Sequence, residues 1–247
     1  RGPVGPPPRI LRKGTMQAIS ENIPLLLQGI GTTIALTFLG YLFALIVGTA
    51  LAVCRVSPIP PLRWAATVYV EIFRNIPLLS LLILIAFGLP DVGLTLPYFW
   101  CGVLGLTLSS AAFVCENVRS GINTVPIGHA EAARSIGLGF FGSLRHVVLP
   151  QAFRTMIQPL VNVFIGTVIG SSLCSAIAVM EITGVTQRLN ILYAQAVAMF
   201  LVAGAVYLVL SLGGAYVGGV LERLASPADS RRRTPDRELD VNAGAQA

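Results

Sequence analysis

PLLLQGIGTTIALTFLGYLFALIVGTALAV, residues 24–53, is a continuous apolar run without a charged residue, and its length decides the solvent. At 1.5 Å per residue it makes roughly 45 Å of helix, longer than a bilayer's hydrocarbon core, so it crosses with tilt or projects beyond it. Arg55 and the SPIPP turn at 57–61 end it. Comparable runs follow. The stretch 63–89 starts amphipathic, carries Glu71 and Arg74, passes Pro77 and turns fully apolar through LLSLLILIAFGL, 78–89; Pro90, Asp91 and Gly93 close it. Residues 98–118, 150–179 and 194–221 form three more spans, each bounded by charge, proline or glycine. An all-α membrane protein with about five transmembrane helices is therefore expected over residues 21–224. Residues 1–20, proline-rich and basic at the start, and 225–247, rich in charge and poor in apolar side chains, are expected to be disordered.

Composition agrees. The 247 residues are 54% hydrophobic and only 11% charged, against roughly 25% charged in a soluble domain. A transmembrane barrel needs alternating segments of about ten residues, and these runs do not alternate. The net charge of +6 is spread over loops and tails rather than gathered with aromatics, which excludes a nucleic-acid surface. Lys13, the only lysine, is followed by Gly14, so the chain holds no GxxxxGK[ST] phosphate loop. Cys54, Cys101, Cys115 and Cys174 lie in or beside apolar runs and read as packing side chains, and His129 and His146 as loop residues; no metal is expected.

Between the third and fourth spans, residues 131–150 read EAARSIGLGFFGSLRHVVLP. A helix over 126–136 would set Ala130, Ala133 and Gly137 at i, i+3 and i+7, a small-residue face open to close approach by another protein. Glu131 and Arg134, with Arg145 beyond, would address polar groups at its sides, and Gly137 supplies the stop. The competing reading is a surface helix whose alanines pack on their own bundle. Glu71 with Arg74, and Glu116 with Arg119, are each three residues apart on one helical face. A charge at the centre of a span costs roughly 2.5–3.5 kcal/mol on insertion scales, so these groups either pair locally near the helix ends or line a path. Gly214 with Gly218, and Ala215 with Gly219, offer small faces for helix packing, inside the bundle first.

The spacing EAA, three residues, Gly137, nine residues, Val147, one residue, Leu149-Pro150 resembles the EAA loop of bacterial ATP-binding-cassette importer permeases, with Val147 where the pattern has isoleucine. YVEIFRNIPLL (69–79), AAFVCENVRSGINTVPIGHAEAA (111–133) and LPQAFR (149–154) extend the likeness to the polar amino-acid branch, nearest to glutamate or glutamine permeases. The resemblance implies that Glu131, Ala132, Ala133, Arg134 and Gly137 form a cytoplasmic coupling loop docked on a separate ATPase subunit, which uses ATP and Mg; this chain would bind no cofactor and carry no catalytic residue. It implies a second permease subunit, as homodimer or heterodimer, and an extracytoplasmic amino-acid-binding protein. Glu71, Arg74, Glu116, Ser171 and Ser172 are the candidate substrate path. Ile169 stands where the family's Lys-x-Thr-Ser-Leu region has lysine, and His129 where glutamine is common, which points to a partner permease holding part of the site. A multi-pass protein of the cytoplasmic membrane is expected. A cytoplasmic C-terminus puts twelve of the seventeen basic residues inside, against Arg188 and the cluster Arg1, Arg9, Arg12 and Lys13 outside. A stand-alone secondary transporter would usually show inverted repeats, and an embedded enzyme a cluster of acid, base and nucleophile; the sequence shows neither.

Overall fold

The computed structural model describes residues 14–225. The expected disorder of 1–13 and 226–247 lies outside the described residues. Thr15–Glu21 is helical (α1), so the segment 1–20 read as disordered ends in a helical turn. Then follow α2 (Ile23–Val56), α3 (Pro60–Asn75), α4 (Leu78–Asp91), α5 (Tyr98–Asn123), α6 (Ile127–Ser135), α7 (Phe140–Ile177), α8 (Ile182–Tyr193) and α9 (Ala196–Ala225). Four of these, α2, α5, α7 and α9, are long and apolar enough to cross a membrane, and α3 with α4, bent by 104° at a short break, pass the same test only when taken together.

That bend corrects the second span, which was expected to run straight through Pro77. A proline's ring crowds the residue before it out of the helical region, and Ile76 accordingly sits extended at φ −81°, ψ 127°. Two other prolines are accommodated without a break. Leu84–Gly88 and Leu144–Val148 are wide π-helical turns, one turn ahead of Pro90 and Pro150, where the ring would otherwise strike the carbonyl four residues back.

A second correction is α8. Residues 180–193 were expected to connect the fourth and fifth spans, yet Ile182, Val185, Leu189 and Tyr193 form one buried stripe at helical spacing. The end of α7 also tightens, with Ser171–Ile177 forming a 3₁₀ helix that stops at Ala178 in the left-handed region, φ 62°.

Contacts between distant residues fix which helix ends lie together. Arg55 at the end of α2 pairs with Glu116 in the last turns of α5, Gln151 near the start of α7 bonds His129 of α6, and Gln158 of α7 donates to Glu222 near the end of α9 (3.0 Å). The ends of α2, α5 and α9 therefore share one face of the bundle with α6. Asn22, ahead of α2, donates to the Tyr193 hydroxyl at the opposite face (3.1 Å). Gly214 and Gly218 seat against Phe164 and Val161 of α7, which is the internal packing expected of them. Much of α9 stays bare, with Leu201, Leu208, Leu212 and Tyr216 exposed, as suits a helix whose solvent is lipid. Cys101, Cys115 and Cys174 are buried and Cys54 half-buried, all as free thiols.

Candidate functional site

The sequence after α5 builds a short helix on the outside of the bundle. Pro126 precedes α6, and its backbone at ψ 135° turns the chain into the helix. The other end closes on Gly137 at φ 88°. The Gly137 N–H donates to the Arg134 carbonyl (3.0 Å) and the Leu138 N–H to the Ala133 carbonyl (3.1 Å). These are the two bonds of a Schellman turn, which needs a left-handed residue at this position and so selects glycine. The His129 Nδ1 lies 2.7 Å from Gln151 Oε1, and Ser143 Oγ donates to the Leu138 carbonyl (3.3 Å); together they tie α6 and its turn to α7. Of the expected small-residue face, Ala133 is buried against its own chain and Gly137 is exposed. Glu131, Ala132 and Ser135 are exposed as well.

A cavity of about 650 Å³ opens among α3, α4, α5 and α7. Its polar lining comes from Arg74, Ser109, Ser110, Asn117, Asn162 and Thr167, set among apolar groups such as Leu78, Leu106 and Phe113. Ser110 and Thr167 bond across α5 and α7 (2.9 Å). Asn117 Nδ2 donates to the Pro159 carbonyl (3.2 Å), which leaves its amide oxygen open to another donor. Arg74 reaches the lining because α3 ends just after it, at the Pro77 break, and among the described residues it is the only charged one there. Such a lining can hold a carboxylate through a guanidinium and hydroxyls while amides address an amino or amide group.

Of the five side chains proposed from sequence for a path, only Arg74 lies here. Glu71 is exposed and makes no ion pair with Arg74; its carbonyl accepts from Asn75 Nδ2 (2.7 Å). Glu116 is bound by Arg55 on one oxygen and by Arg119 on the other (3.2 Å), so it serves as a local charge pair between helix ends. Ser171 and Ser172 donate to the carbonyls of Val168 and Ile169 (both 2.7 Å), within their own helical turn. The residues missed, Asn117, Asn162, Ser109, Ser110 and Thr167, are uncharged, and all but Asn117, which lies between Glu116 and Arg119, sit in apolar runs. Only their recurrence on facing helices would have marked them.

One buried carboxylate was also missed. Glu181, fully buried, caps α8 by accepting from the Thr183 and Gly184 N–H groups (2.9 and 2.8 Å) and from the Tyr207 hydroxyl of α9. Burial pushes its carboxyl above the usual range, against the pull of those donors.

A bundle of membrane-length helices with a cavity that carries a few polar groups, a broken helix pair beside it and a short helix held outside is an architecture suited to a membrane permease. The chain belongs to the family of binding-protein-dependent transport system inner membrane components, whose profile matches residues 40–226. It is accordingly a permease subunit of an ATP-binding-cassette importer, resident in the membrane, and not a stand-alone secondary transporter. It is 37% identical over 220 residues to the glutamate transport system permease protein GluC of Corynebacterium glutamicum, covering 82% of this chain and 95% of that one. With the probable glutamine ABC transporter permease protein GlnM of Bacillus subtilis it shares 37% identity over 162 residues, 66% of this chain and 75% of the relative. The crystal structure of an amino acid ABC transporter with histidines superposes with a TM-score of 0.78 at 30% identity, covering 86% of this chain and 99% of that one.

Proposed function

We propose that this chain forms part of the membrane path for a polar amino acid, glutamate or glutamine first, and that the 650 Å³ cavity with Arg74 as its single charge carries that reading. Arg74 takes the substrate carboxylate, and the Asn117 and Asn162 amides with the Ser109 hydroxyl take the remaining polar groups. Ile169, exposed on the same helix as Asn162, leaves room for a second permease subunit, identical or related, to complete the site. The relatives named for glutamate and glutamine support the substrate class.

Coupling follows from α6. An ATPase subunit, using ATP and Mg that this chain does not bind, docks on the exposed Glu131 and Ala132 side of α6, and its movement swings the bundle between inward-open and outward-open states. Turning a 1:99 population into 99:1 takes about 5.5 kcal/mol of differential stabilisation, and a helix capped at Gly137 and tied to α7 transmits force without melting. The face holding α6 and the end of α9 is cytoplasmic in this scheme, and an extracytoplasmic amino-acid-binding protein delivers substrate to the face near α8.

Uptake of labelled glutamate, glutamine, arginine and histidine into vesicles holding this chain with its partner subunits tests the proposal. ATP-dependent uptake that disappears in Gly137→Asp supports coupling through the loop, and the accumulated label names the substrate. Uptake indifferent to ATP and to the substitution would refute it.

A further inference from the structure

A second cavity, about 580 Å³, lies where α2, α5 and α7 end, beneath α6. Its wall on the side of the spans is apolar, from Val56, Ile122, Leu144 and Val148, and its charged residues are Arg63 and Arg134. Among the described residues no acidic side chain lines it. The Arg63 guanidinium has no hydrogen-bond or ion-pair partner among the described residues. Arg63 opens α3, an amphipathic helix whose neighbouring residues Leu62 and Trp64 are exposed. An exposed tryptophan beside a basic residue at the start of such a helix is how proteins sit at the headgroup level.

The charge of the two bundle faces points the same way. On the face with α6, arginines at 55, 63, 119, 134, 145, 154 and 223 stand against Glu116, Glu131 and Glu222, whereas the opposite face has Glu21 and Asp91 with Arg188. A cavity with a cationic rim and an apolar wall, set at the level where the spans leave the bilayer, matches an amphiphile with an anionic head. A docked protein fits it less well. The exposed side of α6 bears Glu131 and Ala132, whereas the cavity is walled by residues in the ends of the spans.

We propose that this cavity is a binding site for an anionic phospholipid, whose phosphate is held by Arg63 and whose glycerol and first acyl methylenes lie on Val56, Ile122, Leu144 and Val148. This rests on membrane residence alone and not on the substrate reading above.

The test uses the full chain in nanodiscs of mixed phosphatidylglycerol and phosphatidylcholine, extracted into detergent, with retained lipid counted by native mass spectrometry. Wild type should retain phosphatidylglycerol preferentially. Arg63→Gln should lower that preference roughly fivefold, the factor carried by one basic residue at an anionic leaflet, while Arg223→Gln, on the same face but away from the cavity, leaves it unchanged. Gly139 lines the cavity with open space where a Cβ would stand, so Gly139→Leu should lower retention without removing charge. A melting curve confirms that each variant is folded. Equal retention by wild type, Arg63→Gln and Gly139→Leu would overturn the proposal. So would displacement of the lipid by inorganic phosphate alone, which would mean that the site reads only the anion.

Discussion

Gly137 allows the coupling scheme to be tested without touching a contact. A Cβ built there meets nothing within 4 Å, while the backbone stands at φ 88°. The whole effect of Gly137→Ala is therefore conformational, about 1–2 kcal/mol for forcing an L-residue into the left-handed region. The chain can relieve that strain only by unmaking the turn whose two bonds reach Arg134 and Ala133, and this loosens the end of α6. If ATPase docking selects the capped helix, the affinity of an ATPase subunit for the permease should fall about 5- to 30-fold, since each 1.4 kcal/mol is about tenfold. Gly137→Asn should fall only about two- or threefold, because asparagine tolerates this region better than alanine. Titrating the ATPase subunit onto permease in nanodiscs measures the three affinities, and vesicle uptake should follow the same order. Equal affinities for glycine, asparagine and alanine would show that the turn does not set the docking geometry.

Three further outcomes follow from named contacts. Glu181→Ala leaves the half-buried Thr183 and Gly184 N–H groups without their acceptor, while the Tyr207 hydroxyl keeps Thr183 Oγ1 at 3.0 Å; at about 1–3 kcal/mol for each stranded donor, the Tm in detergent should drop clearly, and more than in Glu181→Gln. A wild-type Tm in the alanine variant would sink that account. Arg74→Gln should abolish substrate uptake while leaving ATPase-subunit binding intact, checked by uptake and titration on one preparation. Glu116→Gln should destabilise more than Arg55→Gln by thermal unfolding, because it leaves two arginines facing each other where the second change leaves Glu116 its bond to Arg119.

The crossings were legible because length and apolarity alone separate a spanning helix from a soluble one, and residues 24–53 satisfy both. The loop was legible because its glycine, prolines and alanines carry local constraints that a linear pattern records. The break at Pro77 was in principle readable from the residue before the proline, but a continuous apolar run masks it. α8 escaped because its cap is a glutamate, outside the usual capping set, and its stripe of four buried residues is short beside the long runs around it. The cavity was the least legible. Charge drew attention to Glu116, whose partner Arg55 is 61 positions away, while the lining amides and hydroxyls look in sequence like any polar residue bonded to its own helix.

The bend between α3 and α4 has a bearing on how the chain enters the bilayer. α4, Leu78–Asp91, is roughly 21 Å of helix at 1.5 Å per residue, short of the roughly 30 Å that a lone segment must cover. α3 contains Arg63, Glu71 and Arg74 and would not partition into lipid by itself. Neither half is a self-sufficient insertion signal, so the pair depends on its neighbours: α3 packs on α2 and α5, and α4 on α5 and the end of α7. A nascent chain halted before Tyr98 should therefore leave this stretch open to protease although α2 is already embedded, making the second crossing a late event in assembly.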